Sequence, residues 1–207
     1  MLAELVDDGA GVRCGEVPFR DGVWPLAGRT VRSVALSVCL LLDEPAERAV
    51  RGVWRRLEDA GVPTLLSHTH GRHLPHLSLA SLRTFSLDQV AQALAALPVA
   101  AGGRLHFDGL GMFRRSRCWL LPAVTRDLLD RQAAVVDALH ATGADLHRHY
   151  LPGSWLPHLT LAPRLHLADL PLVARTVFEI LPLAAEVSRA ALVDTSNGAV
   201  TYLPHLV

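Results

Sequence analysis

A short segment of this chain occurs twice. Residues 71–80, GRHLPHLSLA, match residues 153–162, GSWLPHLTLA, at seven of ten positions, and an eighth position exchanges serine for threonine. The central histidines of the two copies, His76 and His158, are 82 residues apart. Internal similarity of this kind indicates that one structural unit is used twice. The chain must therefore fold so that two similar segments occupy equivalent places.

The sequence around the two copies also follows a repeated order, which is strand, helix, strand, helix and hairpin. Apolar runs and helical periodicity, bounded by Gly and Pro, define the segments. Ser86, with Gln89 three residues later, predicts a capping box at the start of the second helix. The predicted strands are 31–42, 73–82, 104–113, 118–124, 156–161, 186–194 and 200–207, and the predicted helices are 45–60, 87–97, 125–142 and 170–181.

Each repeat presents one imidazole beside one hydroxyl. In a strand, residues i and i+2 face the same way, so His76 lies with Ser78 and His158 lies with Thr160. The leucines between them face the core. Of two imidazoles in one cleft, one can accept a proton while the other donates one, because their ordinary pKa is near neutral. Hydroxyls can donate hydrogen bonds to phosphoryl oxygens. The pattern predicts a phosphate site.

Composition removes several other chemistries. The chain has 20 basic residues and none is lysine, so Schiff-base, P-loop and lysyl-adenylate mechanisms are excluded. Basic and acidic side chains balance to a net charge of zero, so phosphate binding must come from a local cluster. The longest apolar run, 34–42, is far shorter than the roughly 20 residues of a membrane span. Three cysteines without CxxC spacing suit a reducing compartment, so we expect a cytoplasmic protein.

The paired motifs resemble those of the two-histidine (2H) phosphoesterases, which include the 2′,5′ RNA ligases and RNA cyclic phosphodiesterases. The family signature, a pair of His-x-[Ser/Thr]-x motifs flanked by apolar residues, stands here as HLSL at 76–79 and HLTL at 158–161. The resemblance implies an α+β, bilobal, pseudo-twofold fold. Two antiparallel sheets would flank a central cleft, with helices on the outside. We expect residues 29–207 to form this single domain and residues 1–28 to be an extension.

The resemblance also implies an activity. A member of this family would hydrolyse a 2′,3′-cyclic phosphate on an RNA 3′ end or a small nucleotide to a 2′-phosphate, without metal or cofactor. His158 would activate water and His76 would protonate the 3′ oxygen, or the two roles would be reversed. Ser78 and Thr160 would bind the phosphate. Ligation would be only the reverse reaction. We expect a monomer with no membrane partner.

Further candidates for substrate binding lie between and beside the motifs. The predicted hairpin 104–124 has an arginine-rich turn, and arginine binds phosphates or stacks on bases. Aromatic side chains near the motifs can stack on a base or pack in the core. These candidates are Arg114, Arg115, Arg117, Phe113 and Trp155. A third near-copy of the motif, LPHL at 203–206, has no hydroxyl and predicts no function.

Two alternatives remain open at this point. His68, His70 and His73 superficially resemble the metal motif of metallo-β-lactamase-fold hydrolases, but Arg72 stands where an acidic residue is needed. A metal-dependent hydrolase would use those three histidines. The other alternative is a module that binds nucleotides or RNA ends without turning them over. Pure binding does not need paired acid and base groups, which favours the enzyme.

Overall fold

A computed structural model describes residues 30–99 and 102–203 of the chain. The predicted extension 1–28 and the third near-copy's His205 lie outside the described residues. The strands are β1 Thr30–Leu42, β2 His76–Ser86, β3 Arg104–Met112, β4 Cys118–Pro122, β5 Asp145–Leu146, β6 Leu159–Ala162, β7 Leu183–Asp194 and β8 Val200–Leu203. The α-helices are α1 Glu44–Asp59, α2 Leu87–Ala95, α3 Arg126–Ala141 and α4 Leu170–Phe178. Each predicted segment has a counterpart, and only the two-residue β5 had no pattern to predict it.

The strands form two antiparallel halves that are joined through β7. Their order is β5-β2-β1-β7-β3-β4-β6, and β8 adds to β7. The first residues of β7, 183–186, pair with β3. The rest of the strand, 187–194, pairs with β1. One long strand thus links the half that contains the first motif to the half that contains the second. The α+β class predicted from the sequence is confirmed.

The helices cover one face of the sheet and leave the other face for the site. Along β1, Val38 and Leu40 belong to the main core together with helix residues such as Trp54. Cys39 and Leu41 point to the opposite face, where they form a small second cluster. Burial of each large side chain contributes about 1.5–3 kcal/mol, so alternation along β1 fixes which face is covered.

The first motif lies on this second face. In the pairing of β1 with β2, Cys39 stands opposite Ser78 and Leu41 stands opposite His76. Directly paired residues of an antiparallel pair share a face. Leu77 and Leu79 are fully buried in the main core. The expected alternation of His76 and Ser78 against the two leucines is therefore present.

No α-helix in the described ranges is long and apolar enough to cross a membrane.

The helix starts differ in how they are capped. Thr125 caps α3, because its side-chain oxygen accepts a hydrogen bond from the backbone N–H of Leu128 at 3.2 Å. The capping box predicted at Ser86 is wrong, since its side chain makes no cap hydrogen bond. Ser86 is still paired with Thr30 as the last residue of β2, so the strand rather than a cap leads into α2.

This difference predicts unequal effects of two similar substitutions. Thr125→Ala should lower the free energy of unfolding by about 1 kcal/mol, because a capping bond is lost. Ser86→Ala should change it by less than about 0.5 kcal/mol. Urea-induced unfolding of both variants beside the wild type measures this. An effect of Ser86→Ala as large as that of Thr125→Ala would contradict the assignment of the caps.

Candidate active site

Each motif histidine makes the same backbone contact. His76 begins β2, and its Nδ1 lies 2.6 Å from the carbonyl oxygen of Leu74. His158 directly precedes β6, and its Nδ1 lies 2.8 Å from the carbonyl oxygen of Leu156. In both copies a proline stands between the leucine and the histidine, and its fixed φ favours the extended backbone there. The repeated sequence Leu-Pro-His therefore produces a repeated geometry.

This contact decides which ring nitrogen carries the proton. A carbonyl oxygen can only accept a hydrogen bond, so Nδ1 of both rings must be the donor. In the neutral ring Nε2 then has a free lone pair and can accept a proton. In the protonated ring Nε2 becomes a donor. Either histidine can therefore act as base or acid through the same atom.

Burial lowers the pKa of both histidines. For His76, burial outweighs the bond to the Leu74 carbonyl, and the positive charge of Arg117 lowers the pKa further. For His158, burial, Arg117 and His76 together lower the pKa to about 4, against the opposing effect of the Leu156 carbonyl. Both rings are therefore neutral near pH 7 in the free protein. A bound phosphate would raise both pKa values, because its negative charge stabilises an imidazolium.

The two motifs lie close together in one cleft. Strands β2 and β6 contact each other although they are not paired. The indole Nε1 of Trp155, which precedes the second motif, donates a hydrogen bond to the backbone oxygen of Ser78 at 3.1 Å. The charge of His76 also reaches the ring of His158. The structure thus brings together both predicted histidines, with Trp155 as a bridge between the repeats.

The two motif hydroxyls have different surroundings. Ser78 is buried, its Oγ lies 3.6 Å from the Sγ of Cys39, and its side chain is hydrogen-bonded to Tyr150. Burial raises the pKa of Cys39 to about 12, so the thiol stays protonated. Thr160 is half-buried in β6 and stands opposite Trp119 of β4. The Ser78 hydroxyl is therefore hydrogen-bonded to Tyr150, whereas Thr160 is paired with Trp119 on the neighbouring strand.

Aromatic rings surround His158. Phe113 meets its ring edge-on, with centroids 5.0 Å apart and planes at 89°. Trp119 lies 5.9 Å from the same ring and 5.1 Å from Phe113. Gly111 makes this arrangement possible, because a Cβ there would overlap the Trp119 indole. Phe113, a candidate for base stacking, is half-buried and packs against the catalytic candidate itself.

Of the three arginines in the turn between β3 and β4, Arg117 is the one whose charge acts on both motif histidines. A hydrogen bond of 2.8 Å from the Phe113 N–H to the Arg117 carbonyl closes the turn. This bond fixes the backbone position of Arg117. Arg114, Arg115 and Arg117 are all exposed.

The structure does not assemble His68, His70 and His73 into a metal site. No group of three or more His, Cys, Asp or Glu side chains that could hold a metal is present in the described ranges. The His73 ring packs against His68 and His70, at centroid distances of 5.8 and 4.1 Å. Nδ1 of His70 accepts a hydrogen bond from the Arg72 N–H, and Nε2 of His73 is bonded to the Thr69 hydroxyl. Nδ1 of His70 and Nε2 of His73 are therefore used in hydrogen bonds within the loop.

Sequence reasoning missed several groups that support the site. Gln132 on α3 is buried, and its Nε2 donates to the backbone oxygens of Leu79 and Tyr150, at 3.2 and 2.7 Å. This amide ties β2 to the 3-10 turn 148–150, which brings Tyr150 to Ser78. A glutamine inside an apolar helix face was the available signal. Nothing in the sequence paired it with a residue far along the chain.

Comparison with known proteins identifies the family. A family model described as the 2′-5′ RNA ligase superfamily matches residues 43–199, which include both repeats. The chain belongs to this superfamily. The match confirms the resemblance to the 2H phosphoesterases, and membership supports phosphodiesterase-type chemistry in general. No curated protein matches the chain.

Solved structures agree with this assignment. A protein described as a phosphoesterase is similar over 83% of this chain and 96% of its own, with 16% identity and a TM-score of 0.54. LigT of E. coli in its apo form is similar over 84% of this chain and 96% of its own, with 18% identity and a TM-score of 0.54. At these identities the similarity shows the fold, which is that of the superfamily.

The Trp119 contact predicts that two glycines of β3 respond differently to alanine. Gly111→Ala should lower the free energy of unfolding by about 1–3 kcal/mol, because the buried indole must move. Gly109→Ala should change it by less than about 0.5 kcal/mol, since its Cβ would lie 3.4 Å from the side chain of Leu121, an ordinary contact. Urea-induced unfolding of both variants tests this. Equal losses would show that Trp119 does not need the space above Gly111.

Proposed function

We propose that this protein is a metal-independent phosphodiesterase that opens a 2′,3′-cyclic phosphate to a 2′-phosphate at an RNA 3′ end or on a small nucleotide. The observation that carries the proposal is the pair of imidazoles held alike by backbone carbonyls. Each ring offers Nε2 for proton transfer. Two such groups beside two hydroxyls suit the in-line displacement at phosphorus.

In the proposed reaction, Nε2 of His158 takes a proton from water as its oxygen bonds to phosphorus. The bond from phosphorus to the 3′ oxygen breaks, and protonated His76 gives its proton to that oxygen. The product is a 2′-phosphate with a free 3′ hydroxyl. At the end of the step His158 is protonated and His76 is neutral. A pKa of about 4 keeps His158 neutral, as a base requires, and so supports this order of roles. The substrate's negative charge supports protonation of His76.

The hydroxyls of Ser78 and Thr160 would donate to the non-bridging oxygens, where charge gathers. Arg117 is the best placed of the turn arginines to offset that charge, because it already acts on both histidines. Arg114 and Arg115 remain candidates for contacts with a longer substrate. Phe113 and Trp155 remain candidates for contacts with the nucleoside, as both lie beside the motif residues.

The class of ligand has independent support. Structures of E. coli LigT, a protein of this fold, are described as complexes with 3′-AMP and with phosphate, at TM-scores of 0.51 and 0.50. A nucleotide or phosphate would suit the cationic cleft of this chain. We propose a monomer that acts in the cytoplasm, the latter on the cysteine argument alone. The absence of lysine leaves ligation only as the reverse of a cyclic-phosphate reaction.

The first test is hydrolysis of an oligoribonucleotide with a 2′,3′-cyclic phosphate end in excess EDTA. The wild type should form a 2′-phosphate end, identified by phosphorus NMR. His76→Ala and His158→Ala should each lose about a hundred- to ten-thousandfold in rate, the usual contribution of a general acid or base.

His205→Ala is the matched control, because His205 stands in the same Leu-Pro-His-Leu sequence without the following hydroxyl. This variant should keep the wild-type rate. Activity that disappears in EDTA would favour a metal reaction. Binding of the oligonucleotide without turnover would favour the binding module.

The pKa directions predict the pH profile. Because both free-enzyme values lie below the ordinary 6.5, the bell-shaped profile of kcat/KM should peak on the acid side of pH 6.5. Arg117→Gln removes a positive charge that disfavours both imidazolium ions, so both limbs should move to higher pH. Arg126→Gln, which removes an exposed arginine at the start of α3 whose charge is not among those that lower either pKa, should leave the profile in place. A wild-type maximum on the alkaline side, or an Arg117→Gln profile that does not move, would contradict the assignment.

A further inference from the structure

A pocket of about 300 Å³ lies between two segments that adjoin the motifs. One wall comes from the loop before β2, and the other comes from the residues just after β6. Its lining residues are Pro63, Thr64, Ser67, His68, Thr69, Pro163 and Arg164. Each wall thus adjoins one of the two repeats in the sequence.

The pocket is joined to the turn that carries Arg117. The backbone N–H of Leu165 donates to the carbonyl oxygen of Ser116 at 2.7 Å, so the segment with Arg164 is fixed against that turn. Burial, followed by the charges of Arg117, Arg164 and His70, lowers the pKa of His68. In the described part of the chain, all the charges acting on His68 are therefore positive. This pocket continues the cationic surroundings of the motif histidines.

The nearby carboxylate is occupied by the loop. Oε1 of Glu58 accepts hydrogen bonds from the backbone N–H and the hydroxyl of both Thr64 and Ser67, at 2.7–3.2 Å. These four bonds lower the pKa of Glu58 despite its partial burial, and they hold the loop in place. Both hydroxyls already donate to Glu58, and the Thr69 hydroxyl is hydrogen-bonded to Nε2 of His73. The side-chain donors of the pocket that remain for a ligand are His68 and Arg164.

Backbone strain is concentrated here. Thr69 in the pocket wall has a φ of +50°, and Ser116 in the adjoining turn has a φ of +71°. They are the non-glycine residues with positive φ among those the structure describes. For a β-branched residue such as Thr69 this conformation is unusual, and strain of this kind is concentrated at ligand sites. The loop is held in a shape that its own sequence disfavours.

We propose that this pocket binds a second phosphate of the substrate, with Arg164 and His68 as its donors. A phosphate is favoured over a base, because the pocket is small and its lining residues offer the Arg164 guanidinium and the His68 imidazole but no Phe, Tyr or Trp side chain. The second phosphate is either the phosphodiester that precedes the cyclic end or a 5′-phosphate on the same nucleoside. The inference rests on the proposed function and narrows its substrate to one with two phosphates.

The test compares three substrates: a nucleoside 2′,3′-cyclic phosphate, the same compound with a 5′-phosphate, and a dinucleotide ending in the cyclic phosphate. The wild type should prefer at least one two-phosphate substrate, mainly through a lower KM. Arg164→Ala should reduce that preference about five- to twentyfold, as expected for a lost arginine–phosphate contact at an exposed position. His68→Asn should reduce it less. Whichever two-phosphate substrate is preferred identifies the source of the phosphate.

Arg126→Ala is the matched control, because it removes one exposed arginine, at the start of α3, that does not line the pocket, and it should keep the wild-type preference. No preference in the wild type, or a preference that Arg164→Ala leaves unchanged, would overturn the proposal. If the wild type hydrolyses none of the substrates, the proposed function fails separately. Calorimetry with the dinucleotide carrying a 3′-phosphate then decides the subsite: weaker binding by Arg164→Ala supports it, and equal binding overturns it.

Discussion

The hydrogen bond from Nδ1 of each motif histidine to the carbonyl two residues earlier is the interaction on which the site depends. It fixes the tautomer of His76 and of His158 and leaves Nε2 of each available to accept a proton. It also favours the imidazolium of each ring, but burial and the charge of Arg117 outweigh this effect and keep both pKa values low until an anion binds. The remaining structure serves this pair: β7 joins the halves that carry the two histidines, and Trp155 ties the second motif to the strand of the first.

Charge is distributed unevenly in a chain whose net charge is zero. Arg117 acts on both motif histidines and on His68, while Glu58 next to the pocket is occupied by its own loop. Arginine stays charged at every pH at which the histidines titrate, so its effect on their pKa values is constant. In the reaction that we propose, this cleft attracts a phosphate, and the negative charge of the phosphate raises the pKa of the histidine that acts as the acid. Substrate binding and activation of the acid are then one event.

Local sequence predicted the parts of the fold that depend on local rules. Apolar alternation and the repeat placed His76 and Ser78 on one face of a strand, and they predicted the helices to within a few residues. The features that the sequence predicted wrongly or did not predict depend on residues far apart in the chain. Ser86 has the sequence of a capping box but stays paired in the sheet, and Gln132 joins backbone groups that no pattern connects. The contact of Trp119 with Gly111 likewise arises only when two strands pair.

The central claim is that both motif histidines are neutral Nδ1–H tautomers whose pKa values rise when an anion binds. Long-range proton–nitrogen correlation spectra of the histidine rings measure this directly, with His76 and His158 assigned through single substitutions. The account predicts Nδ1–H in both rings, titration of both below pH 6.5, and an upward shift of both when inorganic phosphate is added. An Nε2–H tautomer in either ring, or pKa values that phosphate leaves unchanged, would contradict it.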